Sequence, residues 1–194
     1  MIRYYFTPIS PWSYLGNQRL SEMAVKQGVE IDYRPVNILK VFDESGGLPL
    51  GKRPIQRKLY RMTELKRWRD HLNIDLTLEP KFFPTDDQLA SRMIIACESQ
   101  EEKFKLSQAL MYAIWAEDRD ISDVATLKSI CNELGLDADV LIARGQSDET
   151  RCQYEANIQA AIEDNVFGAP SYLYKDELYW GQDRLDFLEV ALQT

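Results

Sequence analysis

Strand-like segments occur only near the two ends of this chain, and this arrangement limits the folds that it can adopt. Residues 2–6 and 29–34 are β-prone segments on either side of an amphipathic helical pattern, which predicts a βαβ unit. Residues 171–180 predict two short strands joined by a turn, and a helix follows from Asp183. The sequence therefore predicts an α/β fold in which a βαβ unit and a ββα unit share one sheet.

The residues between these two units are almost wholly helical in pattern. Apolar residues recur every three or four positions from Ile55 to Leu72, and further helices are predicted between residues 85 and 165. Residues 43–54 are rich in Gly and Pro and predict a flexible loop beside a site. We expect a thioredoxin-like domain formed by residues 1–54 and 166–194 (βαβ…ββα), with an inserted all-helical domain formed by residues 55–165.

Charge and composition disfavour several classes of function. The chain of 194 residues has 31 acidic and 23 basic side chains, so its net charge of -8 disfavours binding to nucleic acid. We expect neither secretion nor membrane insertion, because residues 1–6 do not resemble a secretory leader and no apolar run is long enough to span a bilayer. The three cysteines are widely spaced and predict reduced, packed thiols, and no metal site is expected. We expect a cytoplasmic protein that binds no membrane.

The segment Ser10-Pro11-Trp12-Ser13 joins the first strand to the first helix. Pro11 suits the first helical position, so Ser10 is expected at the N-cap, near free backbone N–H groups and the positive end of the helix dipole. Two interpretations remain open at this point. Ser10 either caps the helix and does nothing else, or it also helps to hold an anion such as a thiolate.

The segment Val166-Phe167-Gly168-Ala169-Pro170-Ser171 opens the second strand region. Taken alone, Pro170 is more often an ordinary trans proline at the start of a strand. Together with Ser10-Pro11-Trp12-Ser13-Tyr14-Leu15 and residues 180–185 (Trp-Gly-Gln-Asp-Arg-Leu), however, it resembles the signatures of 2-hydroxychromene-2-carboxylate isomerases and the related kappa-class glutathione transferases. The resemblance covers nearly the whole chain.

The resemblance implies a glutathione-dependent isomerase of conjugated aromatic compounds, with glutathione as cofactor and a homodimer as the assembly. It implies that Ser10 is catalytic and hydrogen-bonds the sulfur of glutathione, and that Pro170 is cis, so that the backbone of Ala169 pairs with the tripeptide. It also implies that Asp183 receives the glutathione ammonium group. The alternative interpretation of Asp183 is an N-cap of the last helix, and the two roles are compatible. Three further residues are expected to shape the same pocket: Trp180, Gly181 and Gln182.

Substrate-binding residues are expected next to the long loop. The family places a basic residue on the helix that follows this loop, and Arg57 stands there, with Lys52 and Arg53 as neighbouring candidates. The family typically has an asparagine in the loop, but residues 43–54 contain none. Asn37 is a possible substitute, although an asparagine in a loop is usually a turn former.

Three other activities compete with the isomerase interpretation. A kappa-like glutathione transferase or peroxidase uses the same activated thiolate. A non-enzymatic binder of glutathione or of a peptide is the alternative from a different class. A dithiol–disulfide oxidoreductase is disfavoured, because Ser10 and Ser13 stand where that chemistry requires cysteines.

Overall fold

A mixed four-stranded sheet lies at the centre of the computed structural model, which describes residues 1–193. The strands are β1 (Ile2–Phe6), β2 (Ile31–Pro35), β3 (Ser171–Tyr174) and β4 (Glu177–Trp180), and their spatial order is β2-β1-β3-β4. β1 pairs with β2 in parallel and with β3 antiparallel, and β4 pairs antiparallel with β3. Both ends of the chain therefore contribute to one sheet, as the sequence predicts.

The first helix connects the two parallel strands. α1 (Pro11–Gln27) begins at the N-cap Ser10 and ends at Gly28, which has a φ of 63°. Glycine adopts this left-handed conformation without the cost that a Cβ atom would bring, which explains why the helix ends there. The sheet and α1 together fix the position of the loop that carries Ser10.

Seven further helices lie between β2 and β3. They are α2 (Ile38–Ser45), α3 (Ile55–Leu72), α4 (Gln88–Ala96), α5 (Gln100–Trp115), α6 (Val124–Glu133), α7 (Ala138–Gln146) and α8 (Asp148–Glu163). A short 3-10 turn, Leu50–Lys52, precedes α3. After β4, a second 3-10 turn, Gln182–Arg184, leads into α9 (Leu185–Leu192). Within the described residues, no helix has both the length and the apolar content needed to cross a membrane.

One hydrophobic core joins the sheet to the helical block. The ring of Tyr4 stacks on Phe6 and on Tyr172, with centroids 4.4 Å and 5.3 Å apart. The same buried cluster continues into α5, where Trp115 is fully buried. The division into residues 1–54 with 166–194 and residues 55–165 stays a prediction, because this core crosses the proposed boundary.

Two elements differ from the sequence prediction. The predicted loop from residue 43 begins with the end of α2, whose Val41 is buried in a second cluster with Tyr5 and Val36. This tertiary contact stabilises a helix of eight residues that periodicity alone does not reveal. The last helix begins at Leu185 rather than at Asp183, because the 3-10 turn comes first.

Candidate active site

The start of α1 places Ser10 at the end of a tight turn. The Ser10 N–H donates to the Thr7 carbonyl at 3.0 Å, and the Ser10 carbonyl accepts from the Tyr14 N–H at 3.0 Å. The Ser10 Oγ accepts from the Ser13 N–H at 3.2 Å. Ser10 is therefore the side-chain N-cap, as predicted, and these bonds fix its position.

The start of α1 also has free hydrogen-bonding capacity and a positive potential. The Trp12 N–H has no acceptor among the described residues, and Pro11 has no N–H to offer. The first turn of α1 contains no acidic side chain that would offset the helix dipole. Ser10 itself is only 9% exposed, so an anion bound there would be largely shielded from water. These features favour a small anion that approaches Ser10.

The segment before β3 meets this helix start. The Ala169–Pro170 peptide bond is cis, the isomer that the resemblance implies. The Ser10 hydroxyl donates to the Ala169 carbonyl at 3.4 Å, which brings together residues 159 positions apart in the sequence. This bond is long, so the hydroxyl loses little when it turns to another acceptor.

The turn after β4 adjoins the same segment. The Gly181 N–H donates to the Pro170 carbonyl at 2.9 Å, and Gly181 has a φ of 103° that favours glycine. The Trp180 ring packs on Phe167 with centroids 4.7 Å apart. A Cβ atom on Gly168 would lie 2.2 Å from the Trp180 Nε1, so only glycine allows this close approach. Trp180 and Gly181 thus form one continuous surface with Pro170.

The two polar residues that follow Gly181 occupy different environments. Gln182 is 1% exposed, and its Oε1 accepts from Arg19 at 2.9 Å, so it supports the turn from the protein interior. Asp183 remains accessible and lies 3.1 Å from the Arg184 guanidinium. The prediction that Asp183 caps the last helix is wrong, because no side chain caps either the 3-10 turn or α9.

The predicted basic residues lie around the start of α3. Lys52 and Arg57 are exposed, whereas Arg53 is partly buried and its Nε donates to the Leu48 carbonyl at 2.8 Å. In the described part of the chain, no hydrogen bond or ion pair joins any of the three to Ser10 or Ala169. Asn37 accepts from the Leu39 N–H at 3.0 Å as the N-cap of α2, so it acts as a turn former.

The structure contains a buried carboxyl group behind the Ser10 loop that the sequence does not predict as part of the site. Asp87 is 8% exposed and accepts a hydrogen bond from the Thr7 hydroxyl. Burial raises the pKa of Asp87 to about 6, while hydrogen bonds from Thr7 and from the Ile9 backbone oppose this rise. The contact spans 80 residues, so no local sequence pattern indicates it.

The Ser13 hydroxyl and two of the three cysteines are buried. Ser13 is fully buried, so only Ser10 of the Ser-Pro-Trp-Ser segment offers its hydroxyl to a ligand. Burial raises the pKa of Cys97 to about 12 and that of Cys131 to about 11, which keeps both as thiols. The expectation of three packed thiols is wrong for Cys152, which is exposed on α8.

Comparisons with known proteins agree with this geometry. The model of the DSBA-like thioredoxin domain family matches residues 1–193. The chain is 33% identical to a 2-hydroxychromene-2-carboxylate isomerase of Sphingobium xenophagum over 98% of this chain and 97% of the relative. It is 24% identical to glutathione S-transferase kappa 1 of Homo sapiens, over 98% of this chain and 90% of that protein. These curated relatives are enzymes.

A solved structure extends the comparison to three dimensions. The structure of a 2-hydroxychromene-2-carboxylate isomerase superposes with a TM-score of 0.87 at 28% identity, covering 99% of this chain and 94% of the other. The predicted thioredoxin-like fold with an inserted helical region is thereby confirmed. The chain belongs to the DSBA-like thioredoxin domain family, in the branch that contains the 2-hydroxychromene-2-carboxylate isomerases.

Proposed function

We propose that this chain is a glutathione-dependent isomerase that acts on 2-hydroxychromene-2-carboxylate or a related conjugated aromatic acid. The observation that carries this proposal is the Ser10 hydroxyl, held at the start of α1 only 3.4 Å from the Ala169 carbonyl. Similarity to an isomerase over nearly the full length of both chains supports the proposed isomerisation. Similarity to a glutathione transferase supports glutathione as the cofactor.

The start of α1 has the donors that a sulfur anion needs. The Ser10 hydroxyl turns from the Ala169 carbonyl to the sulfur, and the Trp12 N–H adds a second donor. Because these donors and the helix dipole favour the charged form, they lower the pKa of a bound thiol. When bound, glutathione would supply a thiolate for reversible addition to the conjugated carbon. Rotation about the resulting single bond and elimination of the thiolate would then restore the double bond and free glutathione, with no net oxidation or reduction.

The remaining site residues have proposed roles in orienting the two ligands. The backbone of Ala169 next to Pro170 pairs with the peptide part of glutathione. The accessible Asp183 carboxylate accepts a charge-assisted hydrogen bond from the ammonium group of glutathione. Trp180 and Gly181 shape this end of the pocket, and the buried Gln182 keeps their turn in place. Three residues around the start of α3 are the proposed substrate-binding residues: Lys52, Arg53 and Arg57.

A spectrophotometric assay of 2-hydroxychromene-2-carboxylate conversion tests the proposal. We expect turnover only when glutathione is present, and a loss of about 100-fold or more in Ser10→Ala, because one preorganised donor contributes on this scale. Ser13→Ala is a useful control, since its hydroxyl is buried away from ligands. Turnover that persists without thiol, or that survives in Ser10→Ala, would refute the proposal. Glutathione binding without any turnover would favour a binding protein instead.

A kappa-like transferase is the second candidate function, and the likeness to the human transferase favours it. The two functions differ in whether sulfur stays on the product. Mass spectrometry after incubation with an aryl halide distinguishes them, because a transferase accumulates a glutathione conjugate and an isomerase returns free glutathione.

The assembly and location of the protein stay predictions. We propose a homodimer in the cytoplasm, where glutathione keeps thiols reduced. The free state of all three cysteines is compatible with that compartment. Light scattering of the purified protein and fractionation of cells test these two statements.

A further inference from the structure

Five basic residues at the start of α3 have no carboxylate partner in the part of the chain that the structure describes. They are Lys52, Arg53, Arg57, Lys58 and Arg61. Later in the same helix, Arg67 pairs with Glu64 and Arg69 pairs with Asp70. The chain has 31 acidic side chains for 23 basic ones, so five unpaired neighbours are unexpected. This cluster, named here the α3 basic cluster, is therefore available to an external anion.

Two members of the α3 basic cluster are partly engaged by the preceding loop. The Arg53 Nε donates to the Leu48 carbonyl at 2.8 Å, and the Lys58 Nζ donates to the Gly51 carbonyl at 2.8 Å. These bonds fix the loop on the start of α3 without neutralising either charge. The positive charges of Arg53 and Lys58 therefore have fixed positions.

Arg61 is the member with the strongest need for an anion. Its guanidinium lies over the Phe83 ring, 5.6 Å from the centroid, and is partly buried. Among the residues that the structure describes, its one hydrogen-bond contact is with the Met62 sulfur at 3.7 Å, and a thioether sulfur is a weak acceptor. Burial, with a smaller effect of Arg53, lowers the pKa of Arg61 to about 10. A guanidinium that has lost water without gaining an oxygen acceptor is unfavourable unless a ligand supplies one.

The position of Arg61 relates it to the Ser10 loop. Phe83, on which its guanidinium stacks, lies four residues before Asp87. The Asp87 carboxyl accepts from Thr7, and Thr7 closes the turn that ends at Ser10. Arg61 therefore packs on the segment that supports the Ser10 loop.

We propose that Arg61, assisted by the neighbouring charge of Arg53, binds the carboxylate of a conjugated aromatic acid and so determines substrate specificity. The planar guanidinium matches a carboxylate with two parallel hydrogen bonds, which an ammonium group cannot do. The inference rests on the proposed function for the identity of the acid. Glutathione also carries carboxylates, and the experiment distinguishes the two sources.

Ligand binding without turnover tests this inference. Cinnamate, a carboxylate conjugated to an aromatic ring, and its uncharged amide are titrated into wild-type protein, Arg61→Gln, Arg61→Lys and Arg67→Gln, with glutathione titrated separately. Arg67→Gln is the matched control, because it removes the same charge from the same helix at an exposed, paired position. We expect Arg61→Gln to weaken cinnamate binding by about 10-fold or more, since a charge-assisted bond is lost.

The other titrations have equally definite expectations. Cinnamamide should bind weakly to all four proteins, Arg67→Gln should bind cinnamate normally, and glutathione affinity should not change. Equal cinnamate binding by wild type and Arg61→Gln, or an equal loss in Arg67→Gln, would overturn the inference. A loss confined to glutathione would overturn the assignment to the aromatic acid.

Two further measurements keep the test decisive. Melting temperatures show whether Arg61→Gln remains folded at the assay temperature. If it does not, the Arg61→Lys variant tests the inference in its place, because lysine keeps the charge and the aliphatic stem but lacks the planar pair of donors. We expect Arg61→Lys to bind cinnamate several-fold more weakly than wild type. Absence of isomerase turnover in the wild type would refute the proposed function, whereas cinnamate binding would still decide the role of Arg61.

Discussion

Two helix starts in this molecule, those of α1 and α3, are both suited to anions but are built in opposite ways. At α1 the site consists of a nearly buried Ser10, a Trp12 N–H without an acceptor among the described residues, and the helix dipole, and the first turn has no acidic side chain. At α3 no side chain caps the helix, and five basic residues surround it. A dry site with neutral donors favours an anion that forms there, such as a thiolate. A cluster of charges favours an anion that arrives already ionised.

The segment from Phe83 to Asp87 connects these two regions. The guanidinium of Arg61 lies over the Phe83 ring. The Asp87 carboxyl accepts a hydrogen bond from the hydroxyl of Thr7, in the turn before Ser10. A change at one region therefore has a physical path to the other. The predictions below separate what each region contributes.

The largest expected effect on stability concerns Asp87, between the two regions. Burial raises its pKa to about 6, against about 4 in the unfolded chain. The folded state thus holds a proton that the unfolded state has lost, so this group lowers stability as pH rises from about 4 to 6. The cost in the free energy of unfolding at neutral pH is about 3 kcal/mol.

Chemical denaturation of Asp87→Asn at about pH 4 and about pH 8 checks this prediction. The variant should gain stability relative to wild type at the higher pH and lose that advantage at the lower one. A stability difference that is the same at both pH values contradicts the role given to burial.

The next effect concerns the packing of α1 against the turn after β4. A Cβ atom on Gly16 would lie 2.7 Å from the Tyr172 hydroxyl and 2.9 Å from the Gln182 Cβ. We expect Gly16→Ala to lower the free energy of unfolding by about 1–3 kcal/mol, because overpacking shifts buried groups. Glutathione affinity should fall with it, while binding of cinnamate at the α3 basic cluster should not change.

Gly51→Ala is the matched control for this substitution. A Cβ atom there meets nothing within 4 Å, so thermal unfolding should change little. If Gly16→Ala is as stable as Gly51→Ala, α1 and the turn are less tightly packed than described.

The smallest effect concerns the exposed members of the α3 basic cluster. We expect Lys52→Gln and Arg57→Gln each to raise the KM for 2-hydroxychromene-2-carboxylate by about 2- to 5-fold at low salt, because exposed charges contribute little. The difference should vanish at about 0.5 M salt, where such charges are screened. Steady-state kinetics at both salt concentrations test this, and a large fall in kcat would assign these residues to the reaction itself.

Local patterns predict much of the fold but little of the site geometry. The end of α1 at Gly28 and the two final strands follow from neighbouring residues. The approach of Ser10 to Ala169 is known in advance only from the resemblance, since residues so far apart in sequence leave no local signal. The partly buried Arg61 likewise depends on Phe83, which lies in another segment.

The ionisation of bound glutathione tests the central claim most directly. Thiolate absorbance is followed as a function of pH for glutathione bound to wild type and to Ser10→Ala, with S-methylglutathione as the blank. The account predicts a thiol pKa at least about one unit below that of a free thiol in the wild type. It predicts a higher pKa in Ser10→Ala. Equal pKa values in the two proteins, or no lowering in the wild type, would contradict it.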